Sequence, residues 1–269
     1  MSTAGYPSDG PSLYSAAVLR RAIRDYQGLL DRGYPEKPVQ SLVGDRYRLS
    51  RDVRGMLQRG VFSTAASAER AERRVSRIQC TRLCTQANRE GRPGELLVDG
   101  HNVLFTMWNC RAGRPIIRAT DSFIRDVGGT AARLPHNEQF TRLAVELCEV
   151  IASLEIPRVR VLLDEQLPWS GEQRAELAAI WERRLEWSSD DDGPLGADTR
   201  PIADADVTGG VDCTFMTHRS VDATIVESGT EVEVIATSDT GIIDRCSIPV
   251  FDLGGYVVEQ IYRRVPRRL

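Results

Sequence analysis

The sequence predicts an α/β protein, a three-layer sandwich in which a mainly parallel sheet lies between helices, preceded by a small all-α module. Short apolar runs typical of buried parallel strands occur at residues 96–98, 159–163 and 232–236. Segments with helical spacing of apolar residues alternate with these runs, which is the pattern that builds a parallel sheet covered by helices. The residues before these runs show helical patterns alone.

Three segments are expected along the chain. Residues 1–12 are rich in Gly, Pro and Ser and are expected to be disordered. Residues 13–92 form a basic helical module, in which Ser50 caps one helix and residues 67–87 make one long helix. The Gly/Pro-containing stretch NREGRPG then leads into the α/β domain, residues 93–269.

The charge is divided unequally between the two modules. Residues 1–92 hold 17 Lys or Arg and 9 Asp or Glu, a net charge of +8, so the other 177 residues carry −11. A basic surface attracts a polyanion, and the planar guanidinium of arginine suits bidentate contact with phosphate. The arginines expected to form this surface are Arg46, Arg48, Arg51, Arg54, Arg59, Arg70, Arg73, Arg74, Arg77 and Arg82. A solvated helical face is the alternative interpretation.

Several functional classes lack their sequence signatures. No apolar stretch is long enough to span a membrane and the amino terminus has no secretion signal, which together predict a cytoplasmic protein without a membrane partner. The Gly-rich loops of nucleotide-binding proteins and the nucleophile elbow of hydrolases are missing. Cys80 and Cys84 are one helical turn apart, and buried structural thiols are favoured over a zinc site. The sequence does not determine the oligomeric state and is compatible with a homo-oligomer.

The stretch ELLVDGHNVLFTM, residues 95–107, carries the main functional signal. Its apolar run ends at Asp99, which places a carboxylate at the carboxyl end of a strand, and Gly100 allows a tight turn into a helix. Ligands of open parallel sheets bind beyond the carboxyl ends of the strands. Asp99 is therefore either a functional carboxylate or a helix cap, and the sequence alone leaves both open.

Two further strands end in acid. The stretch VEVIATSDTGIID, residues 232–244, ends its apolar run before Asp239, and the strand at residues 159–163 is followed by Asp164. Asp222 lies on a predicted helix, SVDATIVES, directly before the Asp239 strand.

The motifs VDGHN, VDATIV and a strand followed by SD, in this order, resemble the PIN-like superfamily of nucleases, most closely its NYN-type branch. The front half also resembles an uncharacterised prokaryotic family with a helical region ahead of a PIN-like domain. The resemblance implies an acidic site that binds divalent metal and cuts RNA, with Asp99, Asp222 and Asp239 as catalytic residues and metal ligands.

The remaining site candidates have lesser roles. Asp121 and Asp126 are expected at either end of one helical turn, although PIN-like domains usually carry their second acid on a helix nearer the first strand. Asn102 and Ser238 are expected to hold the two strand-end carboxylates or to touch a phosphate. The lesser candidates for metal ligation are Asp121, Asp126, Asp164 and Asp244, and the arginines expected to bind substrate are Arg46, Arg48 and Arg51.

The chemistry follows from the repulsion between gathered carboxylates. Carboxylates packed together require a cation or raised pKa values, and oxygen ligands favour Mg²⁺ or Mn²⁺ over zinc. The preferred hypothesis is a metal-dependent ribonuclease whose basic module holds RNA. The alternative hypothesis is a non-catalytic module on a degenerate PIN-like scaffold that binds nucleic acid or a protein.

Overall fold

The computed structural model describes residues 15–127, 133–187, 210–228 and 231–269, with side chains to residue 184 in the second of these ranges. The expected tail at residues 1–12 lies outside the described residues. The predicted fold class is confirmed, because a six-stranded parallel sheet is flanked by helices and follows an all-helical region. No helix in the described ranges is both long and apolar enough to cross a membrane.

Four helices form the front of the chain: α1 (Ala16–Asp31), α2 (Glu36–Arg46), α3 (Arg51–Gly60) and α4 (Thr64–Arg73). Ser50 caps α3 as predicted, since its side chain accepts a hydrogen bond from the Val53 amide. The fully buried Tyr26 and Leu57 lie in the small core that α1, α2 and α3 share.

The single long helix predicted for residues 67–87 is wrong. The chain instead forms α4, a two-residue strand β1 (Arg74–Val75) and α5 (Arg77–Arg89). Ser76 starts α5 with a capping box, in which its side chain and that of Gln79 satisfy each other's backbone amides. The helical spacing continues through the break, so the break depends on the pairing of β1 with a distant strand.

The main sheet has the strand order β1-β8-β7-β2-β5-β6, and every pair of neighbours is parallel. Its other strands are β2 (Glu95–Asp99), β5 (Arg158–Asp164), β6 (Asp212–His218), β7 (Val234–Ala236) and β8 (Val250–Phe251). The helices between them are α6 (Gly100–Arg111), α7 (Glu138–Ser153), α8 (Ser170–Trp187), α9 (Val221–Ser228), α10 (Thr240–Ile243) and α11 (Leu253–Tyr256), the last of which continues as a π-helical turn (Val257–Ile261).

The two faces of β2 pack into different cores. Leu96 and Val98 lie in the larger core with residues of α5, α6, α7 and α8, whereas Leu97 lies in a second core with α9 and α10. All five residues of β2 are buried. Successive residues of a strand point to opposite faces, so this division defines the three layers.

A small second sheet lies beside the first, with the order β4-β3-β9. It comprises β3 (Ile116–Arg118), β4 (Ile124–Asp126) and β9 (Arg267–Arg268). The helical turn expected around Asp121 and Asp126 is therefore wrong. Ser122 has a φ of 70°, which turns the chain back to form a hairpin.

The domain boundary after residue 92 stays a prediction, since β1 and α5 connect the two regions. β1 is an edge strand of the main sheet, and Cys80 and Cys84 on α5 are fully buried in its larger core. Leu269, directly after β9, packs against the core of the front helices. Residues before position 92 thus contribute β1 and α5 to the main sheet and its core, and Leu269 of the α/β region contributes to the core of the front helices.

Gly100 is the first residue of α6 and is not among the glycines with positive φ, so it does not form the left-handed turn that glycine often provides. Close packing requires a glycine at this position. A Cβ at this position would lie 2.8 Å from the Leu162 carbonyl oxygen and 2.7 Å from Leu163 Cδ2. We expect Gly100→Ala to lower the free energy of unfolding by about 1–3 kcal/mol, because β5 would have to move. Urea unfolding followed by circular dichroism measures this loss.

Gly171→Ala is the matched control, since a Cβ there would meet nothing within 4 Å. Alanine is the better helix former, so this variant should be as stable as the wild type or more stable by up to about 1 kcal/mol. An equal loss in both variants would contradict the packing explanation.

Candidate functional site

Carboxylates from four elements lie at the carboxyl edge of the main sheet. Asp99 and Asp164 are the last residues of the neighbouring strands β2 and β5. Asp239 follows β7, which pairs with β2 on its other side, and Asp222 lies in the first turn of α9. We refer to these four residues as the acidic rim. Parallel strands end together, so the positions that the sequence predicted for Asp99, Asp164 and Asp239 share one edge.

Asp99 is the buried member of the acidic rim, with 7% of its surface exposed. Its Oδ2 accepts a hydrogen bond from Thr237 Oγ1 at 2.9 Å, and its Oδ1 accepts one from the Asn102 amide at 3.3 Å. Burial, together with the smaller effect of the charges of Asp239 and Asp222, raises its pKa to about 7, although the two hydrogen bonds oppose this rise. Asp99 therefore caps α6 and also carries a carboxyl group that titrates near neutral pH.

Asp239 and Asp222 face the same edge of the sheet. Asp239 caps α10 through a 3.1 Å hydrogen bond from the Ile242 amide to its Oδ1. Asp222 is exposed on α9, yet surrounding protein removes enough water to raise its pKa, and the charges of Asp239 and Asp164 add to this effect against Arg245. The charges of Asp239 and Asp222 thus raise the pKa of Asp99, and those of Asp239 and Asp164 raise the pKa of Asp222.

The described side chains include no group of three or more His, Cys, Asp or Glu that is placed to hold a metal ion. A cation shared by Asp99, Asp222 and Asp239 therefore requires at least one of these side chains to move. Asp222 is exposed on the surface of its helix and is the member with the greatest freedom to do so.

Asn102 and Ser238 join the turns that follow β2 and β7. Asn102 Oδ1 accepts hydrogen bonds from the Ser238 amide at 2.9 Å and from Ser238 Oγ at 3.1 Å. The Asn102 amide also donates to Asp99. These contacts fix the two strand ends against each other, so both predicted residues lie within the site as positioning groups.

Two of the lesser acidic candidates lie in arginine ion pairs away from the acidic rim. Asp121 is fully buried and accepts two hydrogen bonds from Arg125, at 2.7 and 2.9 Å. Asp244 accepts two from Arg70, at 2.6 and 2.7 Å. Each carboxylate therefore already has a cationic partner.

Asp126 is buried at the end of β4 and has a more distant partner. Its Oδ2 lies 3.9 Å from the Arg59 guanidinium, and its Oδ1 has no hydrogen-bond partner among the described residues. The structure places Asp126 in the small second sheet, apart from the four members of the acidic rim.

Sequence reasoning missed a buried arginine network behind the acidic rim. Arg125 Nε donates to the Ser238 carbonyl oxygen at 2.7 Å while its other nitrogens hold Asp121. Arg70 from α4 lies 3.5 Å from the same Asp121, and both guanidinium groups stack near the Phe62 ring. The network links the front helices to the turn that carries Asp239. The spacing of Asp121 and Arg125 alone does not indicate it, because the sequence pattern predicts a helical turn there.

Sequence reasoning also missed the role of His101. Its Nδ1 accepts a hydrogen bond from the Asp164 amide at 2.8 Å, so its Nε2 carries the proton and donates to Gln173 Oε1 at 3.0 Å. Burial lowers the pKa of His101. The neutral imidazole thus ties α6 and α8 to the end of β5.

The front arginines do not form the continuous exposed surface that the sequence suggested. Arg70 is buried, Arg54 binds Asp45 and the Leu49 carbonyl group, and Arg73 and Arg77 donate to backbone carbonyl groups. The three arginines expected to bind substrate, Arg46, Arg48 and Arg51, are exposed. Arg46 also lies 3.6 Å from Asp25.

The raised pKa of Asp99 predicts a pH-dependent stability. Its folded pKa of about 7 exceeds the usual 3.8, so the folded state binds an extra proton between these values. The stabilisation is fully present below about pH 4 and is lost as the pH rises through about 7. Asp99→Asn should remove this loss and exceed the wild type in stability at about pH 8, by up to about 4 kcal/mol.

Urea unfolding at about pH 5 and about pH 8 measures both proteins. Asp52→Asn, which changes an exposed carboxylate on α3, should keep the pH dependence of the wild type. If Asp99→Asn also keeps it, Asp99 does not titrate as inferred.

Comparisons with known proteins match the two parts of the chain separately. Residues 18–73 match a family model described as "Protein of unknown function (DUF434)", and residues 89–207 match one described as "Domain of unknown function (DUF5616)". An uncharacterized protein of Methanocaldococcus jannaschii is 24% identical over 153 residues, which cover 57% of this chain and 68% of that protein. No solved structure matches the chain. The first family match ends with α4 and the second begins at the last residue of α5, so the similarities fall on either side of β1 and α5.

Proposed function

We propose that this protein is a metal-dependent ribonuclease related to the PIN-like nucleases of the NYN type. The observation that carries the proposal is the acidic rim itself. Four carboxylates from separate elements lie at the carboxyl edge of a parallel sheet, where ligands of such sheets bind, and the charges of Asp239 and Asp222 add to the raised pKa of the buried Asp99. Such a concentration of negative charge is costly unless protons or a cation compensate it.

The donor set fits Mg²⁺ or Mn²⁺, since it consists of carboxylate oxygens. Asp99, Asp222 and Asp239 would hold the ion, with Asp164 as an additional ligand. When bound, such an ion supplies Lewis acidity that activates water and stabilises the charge developing on a phosphodiester. The proposal requires the movement of at least one carboxylate described above.

The surrounding residues orient the buried acid. Thr237 and the Asn102 amide each donate one hydrogen bond to Asp99, which leaves further lone pairs on both of its oxygens. Arg125 holds the carbonyl group of Ser238, directly before Asp239. These hydrogen bonds therefore fix the positions of Asp99 and Asp239, and the exposed Asp222 is the carboxylate that moves to complete the metal site.

RNA is the proposed partner, and the exposed Arg46, Arg48 and Arg51 are the proposed contacts to its phosphates. A cytoplasmic location belongs to the same proposal. All six cysteines are free thiols, which suits a reducing compartment.

A non-catalytic binding module is the second candidate, and one observation favours it. Asp99 and Asp239 both serve as helix N-caps, through the Asn102 and Ile242 amides. This structural role accounts for both residues without any metal. Activity measurements on variants that keep the caps distinguish the two candidates.

Asp99→Asn, Asp222→Asn and Asp239→Asn should each lower Mn²⁺-dependent cleavage of a fluorescent RNA by more than about 100-fold. An asparagine oxygen still accepts the capping hydrogen bond, whereas the negative charge that holds the cation is lost. Asp212→Asn is the control, because Asp212 begins β6 at the opposite edge of the sheet and is exposed. Cleavage by Asp99→Asn at the wild-type rate would show that Asp99 is not a metal ligand, whereas a wild-type protein that cuts no RNA with Mn²⁺ present would refute the ribonuclease proposal and leave the binding module.

The proposed phosphate contacts predict a change in salt dependence. Removing one arginine–phosphate ion pair lowers the slope of log affinity against log salt concentration by about 0.7 for a single strand. Arg46→Gln and Arg51→Gln should each show this decrease in titrations of labelled RNA. Arg158→Gln removes the same charge at the opposite edge of the main sheet and should keep the wild-type slope. Unchanged slopes in all three variants would show that these front arginines form a solvated surface.

A further inference from the structure

An exposed pair of stacked aromatic rings lies beside the acidic rim. His136 and Trp169 have ring centroids 4.2 Å apart and an angle of 10° between their planes. Trp169 is 52% exposed although His136 covers part of it, and His136 is itself exposed. We refer to these two residues as the aromatic pair.

The topology places the aromatic pair at the carboxyl edge of the sheet. β5 ends at Asp164, and Trp169 follows five residues later, directly before α8. His136 precedes α7, whose other end connects to the start of β5, so the beginning of α7 lies at the same edge as Asp164. Asp164 is electrostatically coupled to the acidic rim, because its negative charge raises the pKa of Asp222.

Hydrogen bonds hold the loop that carries Trp169. Trp169 has a φ of 68°, in the left-handed region that bulky residues seldom adopt, and its carbonyl oxygen accepts a 2.8 Å hydrogen bond from the Gln173 amide. The buried Gln173 side chain bonds to His101, which in turn holds the Asp164 amide. The backbone of Trp169 is therefore strained, and the hydrogen bonds of Gln173 and His101 hold it while its indole ring stays exposed near the acidic rim. Backbone strain of this kind is concentrated at functional sites.

We propose that the aromatic pair is a stacking platform for an unpaired base of single-stranded RNA. This inference deepens the proposed function and rests on it for the nature of the ligand. An exposed indole offers a flat apolar face, and every nucleobase has a complementary π face, so stacking holds a base without reading its identity. His136 already extends the stack on one side, and a base continues it.

One exposed arginine is connected to the loop of the platform. Arg219 lies directly after β6, its side chain is 85% exposed, and its guanidinium lies 3.7 Å from Glu165 of that loop. The Gln166 side chain, from the loop that leads to Trp169, donates to the Arg219 carbonyl oxygen at 2.6 Å. The loop before Trp169 is therefore tied to Arg219 through both the backbone and the side chain of that residue, and in this proposal the exposed guanidinium contacts the phosphate of the stacked nucleotide. Single-stranded RNA with at least one unstacked base is the substrate class that this arrangement selects.

The test measures binding of a labelled oligouridylate to the full chain by fluorescence anisotropy, with EDTA present so that no RNA is cut. Trp169→Ala should weaken binding by roughly 5- to 150-fold, the range that one stacked base contributes. Trp169→Phe should retain most of the affinity because a phenyl ring still stacks. Tyr34→Ala is the matched control, since Tyr34 is 55% exposed on the front helices away from the acidic rim, and it should bind as the wild type does.

Two further readouts separate stacking from a general loss of structure. A stacked base quenches tryptophan emission, so RNA should quench the wild type, and this quenching should be smaller in Trp169→Phe even where the RNA is bound. An abasic oligomer of the same length and charge should bind the wild type weakly, and Trp169→Ala should lower that binding no further. Circular dichroism of each variant establishes that it is folded.

Equal affinity of the wild type for the abasic oligomer and the oligouridylate would overturn the platform, as would wild-type affinity in Trp169→Ala or no binding of oligouridylate at all. The platform and the nuclease fail separately. Binding that depends on Trp169, in a protein that cuts no RNA, refutes the nuclease and leaves the platform. Cleavage that requires Asp99, in a protein whose RNA binding ignores Trp169, refutes the platform and leaves the nuclease.

Discussion

The complete burial of β2 is the constraint on which the rest of the structure depends. This strand lies between β5 and β7, with a separate apolar core on each face, so its backbone is paired on both sides and all five of its residues are buried. Its carboxyl end is the place where the chain turns polar, and Gly100 brings the next helix directly against β5. The buried charge of Asp99 follows from this position. A carboxyl group at the end of such a strand is desolvated by its surroundings, and Asp239 and Asp222 add like charge.

The front helices are coupled to that edge through buried charge. Removing one partner from a buried ion pair leaves the other uncompensated, so Arg70, Asp121 and Arg125 act as a unit whose members cannot be lost singly without cost. The same unit ends on the carbonyl group of Ser238, next to Asp239. The helical region therefore has a structural part in the geometry of the acidic rim, separate from any contact that its exposed arginines make with RNA.

The local patterns of the sequence were enough to predict the layered fold, because strands such as β2 and β5 have continuous apolar runs and helices such as α7 have clear spacing. Features that depend on distant partners were not predicted. β1 is two residues long and exists through pairing with β8, and the hairpin of β3 and β4 is anchored by Asp252, whose Oδ2 accepts the Ile124 amide at 2.7 Å. The strand-end acids were predictable from position alone. The arginines that neutralise Asp121 and Asp244 were not, since one of the two comes from 174 residues away in the chain.

The position of Leu269 has a consequence for the order of folding. This side chain packs against the cluster that contains Leu57 and Tyr26, which are made more than two hundred residues earlier, and β9 beside it pairs with β3. Contacts between such distant residues close long loops and are slow to form. During synthesis, helices α1 to α3 leave the ribosome well before residue 269, and part of their apolar surface stays uncovered until that residue arrives. These helices thus complete their core late, although they are made early.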